Sequence, residues 1–262
     1  MRLQVLSSGS GGNSALVRAG ETAVLVDAGL TVAGMEERLE AARIAPIQLD
    51  HVFVTHGHLD HARAAGAIAR KARCTLHCAE AMMRNAAIRR SKNLAALSID
   101  VAKSVRGKQG DDELVVTPVA LPHDAAPTVA FKLEHAGRRA VILTDMGCPR
   151  SDVARALSGA HVLVLEFNHD VHLLESGPYP LALKRRILGN AGHLSNAQSR
   201  EMLRGLASEH LHTLVLAHLS DTNNTRELAL EAAHATLDEL GLTSRVRVLV
   251  AEQDRIGESL EV

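Results

Sequence analysis

The chain has 262 residues, of which 46 % are hydrophobic, and this is enough apolar material for the core of one large domain. The formal net charge is −1, so the molecule as a whole neither requires nor excludes an anionic partner, and any nucleic-acid surface must be a local basic patch. Aromatic residues make up only 2 % and Trp is absent, which disfavours stacking on aromatic side chains as the main mode of nucleic-acid recognition.

Cysteine usage and the first residues bear on the compartment. Cys74, Cys78 and Cys148 are odd in number and form no CxxC motif, which indicates free thiols in a reducing environment. The opening MRLQVLSSGSGG lacks the long apolar core of a signal peptide, and no run approaches the ~18 apolar residues of a membrane span. The sequence therefore predicts a soluble, cytoplasmic protein that does not associate with membranes.

The first half of the chain predicts strands followed by helices. LQVLSS, SALVRAG and TAVLVDAG are short, rich in Val and Leu, and separated by Gly-rich turns, as is typical of strands. Residues 31–43 predict a helix, HVFVT (51–55) a buried strand, 60–73 a second helix and CTLHC a further strand. Residues 88–110 are basic and irregular, and we interpret them as an insertion.

The second half repeats this order. LVVTPVALP, TVAFKLEH, RRAVILTD and HVLVLEF (161–167) predict strands, and helices are expected near 180–189, 196–208 and 224–240. HTLVLAH and RVRVLVA predict two late strands. The pattern indicates an α+β fold in which two mixed sheets pack face to face with helices outside, because this arrangement buries the apolar faces of both sheets. We expect a single domain over residues 1–262 with two similar halves.

The segment THGHLDH, which follows the strand HVFVT, concentrates metal-binding side chains. His56 and His58 are two positions apart, so in an extended segment they point the same way and can share one metal ion. Asp60 and His61 lie beyond the turn and are expected to bind a second ion. Four such groups packed together would be difficult to bury without a cation.

Further ligands must come from distant strand ends. His123 follows VVTPVALP, Asp145 ends AVILTD and His218 ends TLVLAH. Each of these three, taken alone, is equally typical of a packing or surface position. Together they would complete a dinuclear site, with three His on one ion, one Asp and two His on the other, and a carboxylate able to bridge them.

The motifs SSGSGGNS, THGHLDH, LPHDA, LTDMG, LEFNHD, YPLALKRRI, GHLSN and LAHLSDTNN occur in this order along the whole chain. This combination resembles the YycJ (WalJ) family of exonucleases with the metallo-β-lactamase fold. The resemblance implies a four-layer αββα sandwich with the dinuclear site at one sheet edge. It places His56, His58 and His123 on one ion and Asp60, His61 and His218 on the other, with Asp145 as the bridge. It also implies a 5′-to-3′ exonuclease that acts on DNA and has a role in DNA repair.

The chemistry of such a site suits phosphodiester hydrolysis. Two adjacent divalent ions, zinc or manganese, lower the pKa of a shared water, so that hydroxide is available to attack a phosphate near neutral pH, and Asp60 belongs to this machinery. With the resemblance, His193 is expected to be a phosphate ligand or the general acid for the leaving oxygen. From spacing alone, Ser195 and Asn196 begin a capped helix that follows a solvated basic helix with Lys184. With the resemblance, these three residues are instead expected to form a phosphate pocket at the helix N-terminus.

Other polar residues are weaker candidates for substrate contacts. Asn168 and His169 follow a strand end, and Asn223 and Asn224 follow His218. Asn13 lies in SSGSGGNS, which lacks the Lys of a P-loop and predicts a tight turn between strands. A set of basic residues around the irregular segment would bind a polynucleotide backbone if it flanks the cleft, and is otherwise a solvated surface: Arg84, Arg89, Arg90, Lys92, Lys103, Arg106 and Lys108.

Two other functions remain open from the sequence. One is a small-molecule hydrolase on the same fold, such as a cyclic nucleotide phosphodiesterase or a lactone or thioester hydrolase, which a closed apolar pocket would favour. The other is a non-enzymatic metal-binding protein, which the completeness of the seven ligand positions disfavours.

Overall fold

The computed structural model of the protein describes residues 1–125 and 127–262, which form two seven-stranded sheets. The first sheet has the order β14-β1-β2-β3-β4-β5-β6, with β1 Arg2–Ser7, β2 Ser14–Ala19, β3 Thr22–Val26, β4 His51–Phe53, β5 Thr75–Ala79, β6 Leu94–Leu97 and β14 Leu260–Glu261. The second has the order β13-β12-β11-β10-β9-β8-β7, with β7 Lys103–Arg106, β8 Glu113–Leu121, β9 Thr128–His135, β10 Arg138–Leu143, β11 Val162–Glu166, β12 Thr213–Ala217 and β13 Arg247–Val250.

Both sheets are mixed in the same way. Strands β1 to β3 pair antiparallel and β3 to β6 pair parallel. Likewise β7 to β10 pair antiparallel and β10 to β13 pair parallel. The predicted pair of mixed sheets is therefore confirmed.

Three apolar layers alternate with the four layers of secondary structure. The central layer lies between the sheets, where Phe53 of β4 meets Phe131 of β9 edge-on with ring centroids 5.6 Å apart. The outer layers pack helices on each sheet: α1 Val32–Ala41, α2 Leu59–Ala62 and α3 Ala65–Ala72 on the first, and α4 Ser151–Leu157, α7 Asn196–Leu206 and α8 Arg226–Glu239 on the second. Two short helices, α5 Val171–Ser176 and α6 Leu181–Leu188, follow β11. The architecture is the predicted αββα sandwich.

The structure differs from the sequence prediction at the helix over 60–73, which is two helices. The amide of Ala64 donates to the carbonyl of Ala28 at 2.8 Å, and the carbonyl of Asp60 accepts instead from Asn13 at 2.7 Å. These tertiary hydrogen bonds replace the helical one between Asp60 and Ala64, so the chain turns after α2.

The segment 88–110, predicted to be irregular, contributes one strand to each sheet, β6 and β7. Both are four residues long and lie at sheet edges, so they lack the buried apolar alternation that reveals a strand in a sequence. Helices α4 and α5 were also not predicted, since each has only two turns or fewer. None of the helices in the described ranges combines the length and apolar composition that a bilayer crossing requires.

Candidate metal centre

The predicted ligands lie in the segments that follow the carboxyl ends of strands in both sheets, and two of them, Asp60 and His61, belong to the short helix α2. THGHLDH follows β4, and His123, Asp145 and His218 follow β8, β10 and β12. Asp145 and His218 adopt left-handed backbone conformations, with φ of 63° and 56°, as does Asp27 after β3 with φ of 60°. Such conformations are rare outside glycine and gather at functional sites, where the surrounding structure holds them.

One group of ligands consists of His56, His58 and His123, whose ligand atoms all lie within 4.8 Å of one another. The Nδ1 of His123 donates to the carbonyl of Gly192 at 2.9 Å, which leaves its Nε2 free to bind metal. The Nε2 of His56 is buried and has no hydrogen-bond partner among the described residues. A buried ring nitrogen without a hydrogen-bond partner is typical of a metal ligand.

The second group consists of Asp60, His61, Asp145 and His218, with ligand atoms again within 4.8 Å of one another. The Nε2 of His61 lies 3.4 Å from a carboxylate oxygen of Asp60 and 3.1 Å from one of Asp145. The Nε2 of His218 is 3.4 Å from Asp145 and, within the described residues, has no hydrogen-bond partner.

Asp145 lies between the two groups. Its Oδ1 is 3.9 Å from Nε2 of His123 in the first group and 3.4 Å from Nε2 of His218 in the second. This position is the one that a bridging ligand requires.

The charges of the site also fit cations. Burial disfavours the ionised form of Asp60, but the nearby rings of His218 and His61 lower its pKa below the usual range. Burial likewise disfavours the charged form of His218, yet the Asp145 carboxylate raises its pKa to about 9. Without metal, buried carboxylates thus recruit protons onto imidazoles, and divalent ions would supply that positive charge directly.

Asp27, which the sequence analysis missed, orients two of the ligands. Its Oδ2 accepts from Nδ1 of His61 at 2.7 Å and from the hydroxyl of Thr55 at 2.8 Å, and its Oδ1 accepts from the Thr55 amide. The Thr55 hydroxyl is also 3.1 Å from Nδ1 of His56. A carboxylate behind a ligating imidazole fixes the ring and its tautomer. The available signal was the position of Asp27 at the end of TAVLV.

Glu166 is the second missed residue, and it positions His193. It closes the buried strand β11, is 0 % exposed, and accepts from Nδ1 of His193 at 2.8 Å and from the amide of Met146 at 2.9 Å. His193 lines the cleft above the ligands, with 19 % of its side chain exposed. Glu166 also forms a third group of metal-binding type with Asp145, His193 and His218.

Two of the remaining candidates touch the ligands directly. The Nδ2 of Asn13 lies 3.0 Å from Nε2 of His61 and 3.4 Å from Oδ2 of Asp60. The Nδ2 of Asn168 lies 2.9 Å from the carbonyl and 3.1 Å from Nδ1 of His218. Both amides therefore help to hold metal ligands in place.

The other candidates make contacts within the protein. Ser195 caps α7 by accepting from the Gln198 amide, as its spacing predicted, and pairs with His169 through an isolated β-bridge. Asn196 exchanges side-chain hydrogen bonds with Asn224.

Asn223 is buried and lies 3.3 Å from the Ser220 hydroxyl. Lys184 of α6, which the resemblance places in a phosphate pocket, donates from its amine to the carbonyl of Glu175 in α5 at 2.7 Å.

The basic residues divide into two sets. The segment Glu80–Asn85 lies beside the metal-binding loop, since Asn85 donates to the carbonyl of Gly57 at 3.1 Å. Arg84 precedes Asn85, and Arg89 and Arg90 follow it; all three are exposed and have no acidic partner within 4.0 Å in the described part of the chain. Lys92 is also exposed, but it precedes Asn93, whose carbonyl accepts from Leu76 at the amino end of β5, away from that loop. Likewise, the amine of Lys108 donates to the carbonyls of Leu49 and Ala72, at the opposite ends of the strands.

The sequence model of the metallo-beta-lactamase superfamily matches residues 8–218, which include all the ligands described above. The chain belongs to the metallo-beta-lactamase superfamily. Within this superfamily the chain is 31 % identical to "Exodeoxyribonuclease YycJ" of Bacillus anthracis over 241 residues. This alignment covers 92 % of this chain and 90 % of the relative. The chain is 32 % identical over 232 residues to "Exodeoxyribonuclease WalJ" of Streptococcus pneumoniae, covering 87 % of this chain and 85 % of the relative.

A solved metallo-beta-lactamase fold protein, YhfI from Bacillus subtilis, superimposes with a TM-score of 0.72 at 14 % identity and covers 98 % of both chains. At this identity the match shows the fold alone. The resemblance drawn from the motifs is thus confirmed for family and fold, and the chain is a metal-dependent hydrolase of the metallo-beta-lactamase superfamily.

Proposed function

We propose that the protein is a dinuclear metal-dependent phosphodiesterase that degrades DNA from the 5′ end and serves in DNA repair, in the cytoplasm. The observation that carries the proposal is the convergence of seven ligands from both sheets into two groups around Asp145. DNA as substrate is supported by the relatives named exodeoxyribonucleases, and polarity and repair by the resemblance to the YycJ (WalJ) family.

In this proposal His56, His58 and His123 would hold one ion and Asp60, His61 and His218 the other, and Asp145 would be available to both. When bound, two zinc or manganese ions supply Lewis acidity toward a phosphate and lower the pKa of water toward neutrality. The donor set of imidazole nitrogens and carboxylate oxygens suits either metal.

The protein's own groups would then position the substrate. Glu166 accepts a hydrogen bond from Nδ1 of His193. Nε2 of the same ring is therefore left to bind a non-bridging phosphate oxygen or to protonate the leaving oxygen. Because Asp27 and Thr55 hold His61 and His56 from behind, the ligands need little reorganisation.

The backbone of the DNA has a basic surface available next to the metal-binding loop. Asn85 anchors its segment to Gly57, and Arg84, Arg89 and Arg90 are exposed in that segment. Cations of this kind release counterions from DNA, so the affinity should fall as salt is raised.

The test uses single- and double-stranded DNA labelled at the 5′ or the 3′ end, incubated with the protein and Mn²⁺ or Zn²⁺. We expect the 5′ label to be released as a short product from the start, and chelation to stop the reaction. Metal analysis should give two ions per chain, fewer in His58→Ala, and an unchanged number in the matched control His172→Ala, whose exposed side chain lies in α5.

A protein that holds two ions and leaves both DNA forms intact would contradict the proposal. If it instead hydrolysed a cyclic nucleotide or a lactone, the small-molecule alternative would replace it.

A further inference from the structure

The chain offers very few rings on which a base could stack. It has no Trp, one Tyr and three Phe. The phenylalanines Phe53, Phe131 and Phe167 are all 0 % exposed in the core. Tyr179 is half-buried and is therefore, histidines aside, the one aromatic side chain within reach of a ligand. The low aromatic content excludes stacking of several successive bases on aromatic rings, but Tyr179 remains available for one base.

Tyr179 lies in the cleft that contains the metal centre. The cleft has a volume of about 410 Å³ and is lined by His58, Asp60, Asp145, His193 and Tyr179, among others. This volume is within the ~300–1,000 Å³ of clefts that hold ligands of the size of a mononucleotide. The polar groups that would receive a phosphate and the ring that could receive a base thus share one cavity.

An exposed leucine lines the same cleft. Leu59 stands between His58 and Asp60 in the metal-binding loop, and it is 62 % exposed. Its apolar surface lies in the cleft next to the charged groups of the metal centre, where a bound nucleotide would contact it. Leu183 of α6, which is half-buried, adds to the apolar lining.

The backbone holds Tyr179 in a stiff segment, Gly177-Pro178-Tyr179-Pro180, between α5 and α6. Two prolines fix their own φ angles and restrict the residues before them. A Cβ on Gly177 would lie 2.6 Å from the Leu173 carbonyl oxygen, so the segment packs tightly on α5. The Pro180 carbonyl accepts from the amides of Leu183 and Lys184, which ties the other end to α6. A ring presented in this way loses little freedom on binding.

We propose that Tyr179 and Leu59 form a clamp for the nucleobase of the terminal nucleotide while its phosphate lies at the metal centre. This inference rests on the proposed function and adds the group that recognises the chain end. The base would stack on the ring of Tyr179 and contact Leu59. Because every base has a π-face, the clamp would accept all four bases and reject an end that has none.

The composition allows binding to be observed directly, since the single tyrosine is the only strong fluorophore in a chain without Trp. In metal-loaded protein, a dinucleotide with a non-hydrolysable linkage should quench tyrosine emission, after correction with free tyrosine amide for light absorbed by the bases. The same ligand with an abasic terminal sugar should leave the emission unchanged. Quenching by both ligands, or by neither, would overturn the clamp.

Kinetics supply the second readout. With wild-type protein, an abasic 5′-terminal nucleotide should raise KM about tenfold or more, the size of one lost base–aromatic stack. Tyr179→Ala should show this raised KM for normal ends and no further rise in KM for abasic ends, with metal content unchanged. Tyr179→Phe should behave as wild type. Leu59→Ala should raise KM less, and the matched control Leu240→Ala, at an exposed position after α8, should not.

The outcomes separate the two hypotheses. Cleavage of DNA without discrimination between normal and abasic ends contradicts the clamp alone. Absence of cleavage of either substrate by the wild type contradicts the proposed function and the clamp with it. If Tyr179→Phe loses as much as Tyr179→Ala, the hydroxyl rather than the ring face is responsible, and the stacking inference is wrong.

Discussion

Replacing Glu166 by Gln should reverse the hydrogen-bonding role of His193. In the wild type, the two carboxylate oxygens accept from His193 Nδ1 at 2.8 Å and from the Met146 amide at 2.9 Å. In Glu166→Gln the amide N–H of Met146 must still be accepted, so the glutamine oxygen faces Met146 and its NH₂ group faces His193. Nδ1 of His193 must then accept a hydrogen bond from this NH₂ group, so the imidazole ring cannot carry protons on both of its nitrogens.

The expected loss follows from the interaction removed. A hydrogen bond to a charged group contributes about 1.5–3 kcal/mol, and Glu166 is 0 % exposed, so water cannot replace it. If His193 binds the phosphate or protonates the leaving oxygen, kcat should fall about 10- to 150-fold at each pH tested. Single-turnover cleavage of 5′-labelled DNA by metal-loaded protein measures this step, with metal content checked in parallel.

A double-mutant cycle with His193→Ala makes the test specific. Because Glu166 is expected to act through His193, the double variant should be no slower than His193→Ala alone. A Glu166→Gln protein that retains wild-type kcat, or that slows the His193→Ala background by a further tenfold or so, would refute this reasoning.

Three further perturbations have defined outcomes. Asp27→Asn removes the carboxylate behind His61 and should weaken metal binding about 10- to 100-fold in a chelator titration. Gly29→Ala would put a Cβ 1.6 Å from the Asp60 carbonyl oxygen. It should therefore lower the free energy of unfolding by more than about 2 kcal/mol and reduce metal content. The control Gly34→Ala, in α1, should change the free energy of unfolding by less than about 1 kcal/mol. Burial, together with the neighbouring His51, lowers the pKa of His77 to about 3. Below a pH of about 6.5 the unfolded chain therefore binds a proton at this residue that the folded chain does not, and the free energy of unfolding falls as the pH drops toward 3. Between pH 7.5 and 5, the free energy of unfolding of metal-free His77→Gln, measured in urea, should fall by about 2 kcal/mol less than that of the wild type.

Each of these has a clear contrary result. Unchanged metal affinity in Asp27→Asn would mean that the orientation of His61 is set elsewhere. Equal stability of the Gly29→Ala and Gly34→Ala proteins would contradict the close approach of the two loops. Parallel pH curves for wild type and His77→Gln would show that His77 is not held neutral by the fold.

The sequence was sufficient to point to the side chains that the structure brings together, because each one follows an apolar strand, where a His or Asp is conspicuous. THGHLDH, His123, Asp145 and His218 could therefore be identified before their distances were known. The two sheets were predicted for the same reason, since Val- and Leu-rich runs mark strands that are buried on both faces.

The supporting carboxylates could not be identified in this way. Asp27 and Glu166 also end apolar strands, but nothing in the sequence distinguishes a carboxylate aimed at a buried imidazole from one aimed at water. Only the approach of two loops from different parts of the chain, such as Glu166 and His193, reveals their role. Lys184 was a candidate for a substrate contact, but its amine donates to the Glu175 carbonyl. This contact depends on the relative placement of α5 and α6, which the sequence does not reveal.

The two groups of ligands have a consequence for the sandwich as a whole, because neither sheet carries a complete set. His56 and His58 come from the first sheet and meet His123 from the second, while Asp60 and His61 from the first meet Asp145 and His218 from the second. Divalent ions bound there would link the two sheets, so the metal-binding affinity would depend on the stability of the packing between the sheets. Damage in the layer between the sheets, such as loosening the contact between Phe53 and Phe131, would then release metal before either sheet unfolds.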